Sequence, residues 1–253
     1  LDTPMRLAVT SDHAQCGGRR CTFVNQCSFF KARDGLQEAD VVVANHNLVL
    51  ADLKLGGGVI LPAPEDCIFI FDEGHQLADK CLDQFTLMVR SNGTRQALRE
   101  TAQWLSDQRE AIDDKLSQQS LLELLETSLT DLEQITLDVG LWAEEYLLQL
   151  AVESNETRFE YGVVPSELRT AAHDLAVAWQ KHIDLVRRFE ASLDSCREEL
   201  DLDQRDEVEA WLLNAKSMLT RADTQLALWE SYSGADAPNT EEPWARWMRG
   251  SPS

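Results

Sequence analysis

No phosphate-binding loop of the form G-x-x-x-x-G-K-S/T occurs anywhere in these 253 residues. A chain that hydrolyses a nucleoside triphosphate unaided needs such a Gly-rich loop, or an equivalent, to cradle the phosphates. No run reaches the roughly eighteen apolar residues that a membrane span requires. The opening stretch LDTPMRLAVTSD has no initiator Met and lacks the charged-then-apolar order of a secretory signal. It reads as a cut made inside a longer protein. Basic charge is also scarce: 23 Lys and Arg against 44 Asp and Glu leave a net charge of −21. Taken alone, that argues against a nucleic-acid surface spread over the chain. There is no internal repeat and no low-complexity tract.

What is present suits a soluble globular protein, with 43% hydrophobic residues and enough length for one large domain or two ordinary ones. Six cysteines stand at 16, 21, 27, 67, 81 and 196. Without a secretory signal, metal ligation or plain burial is favoured over disulfides. The charge is uneven. Between Cys16 and Arg33 lie Arg19, Arg20, Lys31 and Arg33 and no acid, while the acids gather in the second half. Those four side chains are candidates for phosphate contact, with a solvated basic face as the alternative.

The chemistry-bearing stretch is CIFIFDEGHQLAD, from Cys67 to Asp79. Cys67 to Phe71 is uncharged and rich in Ile and Phe, which predicts a strand buried in a parallel sheet. Asp72 and Glu73 then fall at the carboxyl end of that strand, where such sheets bind ligands. A carboxylate there can hold Mg²⁺ through its waters, and a neighbour can orient the water that attacks a γ-phosphate. The alternative is an acidic helix start, which the helix dipole favours.

Upstream, Ala39 to Ala44 holds Val41, Val42 and Val43 in succession and predicts a second strand, closed by Asn45 and His46. Phe29 to Glu38 and Leu48 to Leu55 predict short helices, the latter stopped by Gly56, Gly57 and Gly58. Strand, helix and strand in this order make one βαβ unit, and the rest of its sheet must lie in sequence not supplied here. From about Gln76 to Trp229 the chain is predicted helical almost throughout. Glu207 to Glu230 carries Val208, Trp211, Leu212, Ala215, Met218, Leu219, Ala222, Leu226 and Trp229 at helical steps. Pro165 to Leu193 and Ser120 to Leu150 give two more helices, with Gly140 a candidate break in the latter. Residues 152–164 and Ser233 to Pro243 are predicted loops, and Trp244 and Trp247 begin a return to the sheet domain.

Cys16, Cys21 and Cys27 form C-x4-C-x5-C. Structural zinc prefers tighter knuckles, whereas iron–sulfur clusters accept wider and more varied spacings. Unrelated thiols remain the alternative. Cys67 is a poor fourth ligand because its strand is expected to be buried.

Taken with ADVVVANHNLVLADL and FDEGHQLAD, this spacing resembles the DinG-type branch of the XPD-like, iron–sulfur, superfamily 2 DNA helicases. The segment RFEYGVVPSEL, from Arg158 to Leu168, is similar to the helical arch of those enzymes. The resemblance implies a mainly α chain with a small α/β part: a fragment of a RecA-like parallel sheet carrying an iron–sulfur segment and a helical arch insertion. Residues 1–35 would be the C-terminal part of the iron–sulfur domain and 36–80 part of RecA-like domain 1. Residues 81–240 would be the arch, and 241–253 the return towards domain 1.

The resemblance also implies roles. Cys16, Cys21 and Cys27 would be three of four ligands of a 4Fe–4S cluster, the fourth lying upstream. Asp72 would coordinate the Mg²⁺ of Mg-ATP, Glu73 would orient the attacking water, and His75 would couple the ATP site to DNA movement. Gly74 replaces the commoner Ala of that box. The parent would be a cytoplasmic ATP-dependent enzyme that moves 5′ to 3′ on single-stranded DNA and unwinds forked duplexes, with no membrane partner. Lacking the phosphate loop, the supplied piece alone should not hydrolyse ATP. The competing reading is a non-enzymatic metal-binding module that recruits proteins.

Overall fold

The computed structural model describes residue 21 and residues 23–150, 156–200, 202–234 and 245–250. The chain divides between Leu87 and Met88 into two compact units.

In the first unit, α1 spans Ser28–Asp34, α2 spans His46–Lys54 and α3 spans Leu77–Phe85. The helices predicted after Phe29 and around Leu48 are therefore present. Asn45 starts α2 because its side-chain Oδ1 accepts from the Leu48 amide at 2.8 Å, satisfying a donor that the first turn leaves open. Three successive glycines stop it, with φ of +105°, +79° and +77° at Gly56, Gly57 and Gly58. A Cβ at Gly57 would stand 2.7 Å from Pro64 Cγ, so both the backbone angle and the close approach require glycine there.

The two expected strands are not formed. Residues 41–45 and 67–71 are extended but carry no ladder, so the βαβ sheet is absent among the described residues. Nor is the Cys67 to Phe71 segment buried: Ile68 is 93% and Ile70 90% exposed, against 39% for Phe69 and 38% for Phe71. The alternation is that of a strand with one face partly covered. Two parallel strands offer too little pairing and too little apolar cover to hold a sheet by themselves. The extended conformation survives because β-branched and aromatic residues favour it locally.

The second unit is a bundle of four long helices: α4 Ser91–Leu116, α5 Gln119–Leu150, α6 Ser166–Glu199 and α7 Leu202–Ser233. Polar contacts fix how they run. Near the start of α4, Thr94 meets Gln225 late in α7, and Lys115 near its end pairs with Glu207 early in α7, so these two helices are antiparallel. Arg109 reaches Glu126 at 2.7 Å and Arg99 reaches Glu133 at 2.6 Å, which sets α5 antiparallel to α4. The centre is filled by Leu105 and Ile112 of α4, Leu122, Leu129 and Leu132 of α5, Leu175, Ile183, Val186 and Phe189 of α6, and Val208, Trp211 and Ala215 of α7. Each large side chain buried this way contributes roughly 1.5–3 kcal/mol relative to exposure.

Gly140 does not break α5, which is continuous to Leu150. A Cβ there would lie 3.2 Å from Ser91 Oγ, so the glycine admits the first turn of α4. The loop expected over 152–164 contains a short strand, β1 Glu156–Arg158, which pairs antiparallel with β2 Trp247–Arg249. Trp247 thus sits opposite Arg158 on the helical unit. The Tyr232 hydroxyl holds β2 in place by donating to the Trp247 carbonyl at 2.8 Å and accepting from its amide at 3.2 Å. Burial pushes the Tyr232 phenol up, against the opposing effects of that carbonyl contact and the nearby Arg246 charge. No helix is long and apolar enough to cross a membrane, among the described residues.

Candidate nucleotide and cysteine sites

The acidic box sits at the end of the extended 67–71 segment, and its backbone turns sharply there. Glu73 adopts φ +50° and leads into a single 3-10 turn, Gly74–Gln76, from which α3 starts. Asp72 Oδ1 accepts from the amide of the next residue, Glu73, at 3.0 Å. Glu73 Oε2 lies 3.3 Å from His75 Nδ1, with both side chains largely exposed. The structure therefore brings Glu73 and His75 together and leaves Asp72 beside them, accessible and without an ion-pair partner among the described residues. An exposed carboxylate with one oxygen uncommitted fits a hydrated divalent cation. A groove on the helical unit is lined by Ser106, Arg109, Glu110, Asp113 and Gln119. Gly74 has negative φ and no atom within 4 Å of a built Cβ, so the Ala of the commoner box would fit.

Cys21 and Cys27 bracket the 3-10 turn Val24–Gln26. The Cys21 carbonyl accepts from the Val24 amide at 3.0 Å, and the Cys27 carbonyl accepts from the Lys31 amide at 3.0 Å as the N-cap of α1. Both thiols are free and half-buried. Two unpaired thiols suit a soft-metal or iron–sulfur site in kind. Cys16, Arg19 and Arg20 lie outside the described residues, and among those described no three His, Cys, Asp or Glu side chains converge as a metal site. Cys67, Cys81 and Cys196 are likewise free. Lys31 is exposed on α1, while Arg33 donates from Nη2 to the Val59 carbonyl at 2.5 Å, so part of its guanidinium is committed within the protein.

Sequence reasoning missed Asp52. It is 2% exposed, and its carboxylate accepts four backbone N–H groups: Gly58 at 2.9 Å, Val59 at 2.9 Å, Ile60 at 2.5 Å and Leu61 at 3.4 Å. Burial alone would push its pKa up, but the four donors outweigh that and hold it below the ordinary carboxylate value. The available signal was an Asp shortly before three glycines, a pattern in which a carboxylate can fill a backbone nest.

Comparison with known proteins bears out the resemblance drawn from these motifs. The DEAD_2 family model matches residues 18–93. The ATP-dependent DNA helicase DinG of Photobacterium profundum is 28% identical over 231 residues, covering 89% of this chain and 32% of that protein. The proteins of the same name from Escherichia coli strain K12 and Salmonella typhimurium are each 40% identical over 83 residues, covering 33% of the chain and 11% of theirs. The chain therefore spans about a third or less of the curated relatives it matches.

Proposed function

We propose that this chain is an internal piece of an ATP-dependent DNA helicase of DinG type. The observation that carries the proposal is the coincidence of an exposed Asp-Glu-Gly-His turn at the end of an extended apolar segment with similarity to DinG helicases over 89% of the chain. Asp72 would hold the Mg²⁺ of Mg-ATP, Glu73 would orient the attacking water, and His75, already beside Glu73, would link that site to DNA movement. The extended segments 41–45 and 67–71 would be two strands of the RecA-like sheet, completed by sequence outside this chain.

Cys16, Cys21 and Cys27 would supply three ligands to a 4Fe–4S cluster, with a fourth from upstream. Arg19, Arg20, Lys31 and the free part of Arg33 would contact phosphates beside it. The four-helix unit would be the arch that guides the displaced strand during 5′-to-3′ unwinding of forked DNA. Its acidic surface suits guiding rather than gripping, because like charge keeps the DNA backbone off it. The enzyme would work in the cytoplasm.

Asp72→Ala in the full-length protein tests the nucleotide site. Hydrolysis of ATP should fall to background with the helical fold unchanged by circular dichroism; retained hydrolysis removes the assignment. Anaerobic purification of the same protein should give a brown product with iron and inorganic sulfide. Colourless protein that carries zinc would sink the cluster and favour the metal-binding interaction module.

A further inference from the structure

The three helices of the first unit are joined by side chains rather than by a sheet, and those joints converge on α2. Two of its residues, Asn45 at the cap and His46 in the first turn, lie at the front; the His46 ring is 5.9 Å from that of Phe71, the residue just before Asp72. At the rear, Lys54 Nζ donates to the Gln84 carbonyl at 3.0 Å, near the end of the helix that follows His75. The acidic box is therefore bracketed by the two ends of one nine-residue helix.

From the same helix Asp52 grips the chain on the other side. Its two oxygens hold four consecutive amides, Gly58 to Leu61, which fixes a segment that would otherwise be a glycine-rich loop. That segment presents the Val59 carbonyl to Arg33 of α1, the helix capped by Cys27. Val59 is thus held at both of its backbone groups: its amide by Asp52 and its carbonyl by Arg33. Hydrogen bonds run from the helix after Cys27, through Arg33, Val59 and Asp52, to α2; from there the link to the acidic box is the contact of the His46 ring with Phe71. Charge-assisted bonds are stronger than neutral ones, and this set runs from exposed at Arg33 to buried at Leu61, so displacement at one end is carried along it.

We propose that Asp52 is a positioning residue: by clamping Gly58–Leu61 it makes α2 a strut between the cysteine-bearing helix and the acidic box, through which DNA engaged at the cysteine segment adjusts Asp72 and Glu73. This rests on the helicase function proposed above. It gives Arg33 a mechanical link, through Nη2 and the Val59 carbonyl, in addition to the phosphate contact proposed above. The relevant quantity is the coupling between DNA binding and ATP hydrolysis, not either one alone.

Two variants of the full-length protein, Asp52→Asn and Arg33→Gln, carry the test. Asp52→Asn should bind single-stranded DNA within about twofold of wild type and keep the basal rate of ATP hydrolysis; Arg33→Gln, whose side chain also stands among the phosphate contacts proposed above, is compared at saturating DNA. Stimulation of hydrolysis by DNA should fall roughly fivefold or more in each, as expected for loss of a typical coupling. The double variant should be no worse than either single one, and Arg33→Lys, which can still donate to Val59, should restore stimulation. In hydrogen exchange, Arg33→Gln should loosen residues 28–34 alone. Asp52→Asn should loosen 28–34, 56–61 and 77–85 together.

A loss of DNA affinity with stimulation intact would make Arg33 a phosphate ligand and overturn the strut. Faster exchange confined to 56–61 in Asp52→Asn would make Asp52 a local loop clamp and overturn it too. Should Asp52→Asn not fold, the Arg33 pair of variants decides. If the wild-type protein shows no ATP hydrolysis, the helicase assignment has failed, and the exchange pattern alone decides whether the strut exists.

Discussion

His182 Nδ1 lies 2.7 Å from the hydroxyl oxygen of Ser128, joining α6 to α5 inside the bundle where His182 is only 2% exposed. The Ser128 hydroxyl also donates to the Leu125 carbonyl at 2.9 Å, and the Trp179 ring stands edge-on to the imidazole with centroids 5.9 Å apart. A neutral ring fits this environment and an imidazolium does not. Burial lowers the His182 pKa to about 4 from its ordinary 6.5.

The sign of the resulting pH effect is fixed. Below the ordinary value the unfolded chain takes up a proton that the folded chain refuses, so acid favours unfolding. The stability contributed by neutral His182 is complete above pH 6.5 and is lost progressively as pH falls through 6.5 to about 4. The loss at the acid end should approach about 3 kcal/mol. Thermal unfolding of the protein followed from above the ordinary histidine value of 6.5 down to about 4 should show this slope. His182→Leu should flatten it; an unchanged slope would place the acid sensitivity elsewhere.

Thr94, Gln225 and Trp229 form a second buried polar set. Gln225 Nε2 donates to Thr94 Oγ1 at 2.7 Å, and Trp229 Nε1 donates to Gln225 Oε1 at 3.1 Å. Thr94→Val should cost about 1–3 kcal/mol in chemical denaturation because it strands the Gln225 amide. Combining it with Gln225→Leu should cost less than the sum of the two single changes, since no amide is then left to strand. Strict additivity would mean that the two side chains do not interact.

Tyr232→Phe should release β2. The change removes the contacts to both backbone groups of Trp247 while keeping the ring. A loss of about 1–3 kcal/mol is expected if those groups stay dry. Limited proteolysis should then cut within 245–250 sooner than in wild type, whereas an unaltered cleavage rate would show that β1 alone retains the strand.

Two glycines should behave oppositely. Gly57→Ala meets Pro64 Cγ at 2.7 Å from a backbone at φ +79°, and should destabilise the first unit by more than about 1 kcal/mol. Gly74→Ala meets nothing and should change stability by less than about 0.5 kcal/mol. Reversal of that order in side-by-side denaturation would contradict the loop geometry.

Acid should act on the loop only late. The Asp52 pKa is depressed, so its contribution is complete above the ordinary value of 3.8 and is lost as pH falls below it. Amide exchange at residues 58–61, corrected for its intrinsic pH dependence, should stay protected down to that range, well after His182 has begun to titrate in any unfolded chain. Early loss of protection would mean that the carboxylate is not the clamp.

The sequence by itself determined three of the four long helices, because a stripe of Leu, Val and Trp at three- and four-residue steps is a local property that any partner face can satisfy; Ser91–Leu116 was legible only as part of a generally helical stretch. It also determined the stop after α2, since three successive glycines end a helix without outside help. Only the tertiary structure decided which polar groups meet. Ser128 found His182, Thr94 found Gln225, Asp52 found four amides beyond the glycines, and Glu156–Arg158 found a strand far along the chain. Such pairings depend on the three-dimensional path of the backbone, which no local period encodes. The same reason explains the strands that did not form. β-Branched and aromatic residues keep 67–71 extended, but a ladder needs neighbours, and two segments without them leave Ile68 and Ile70 facing water.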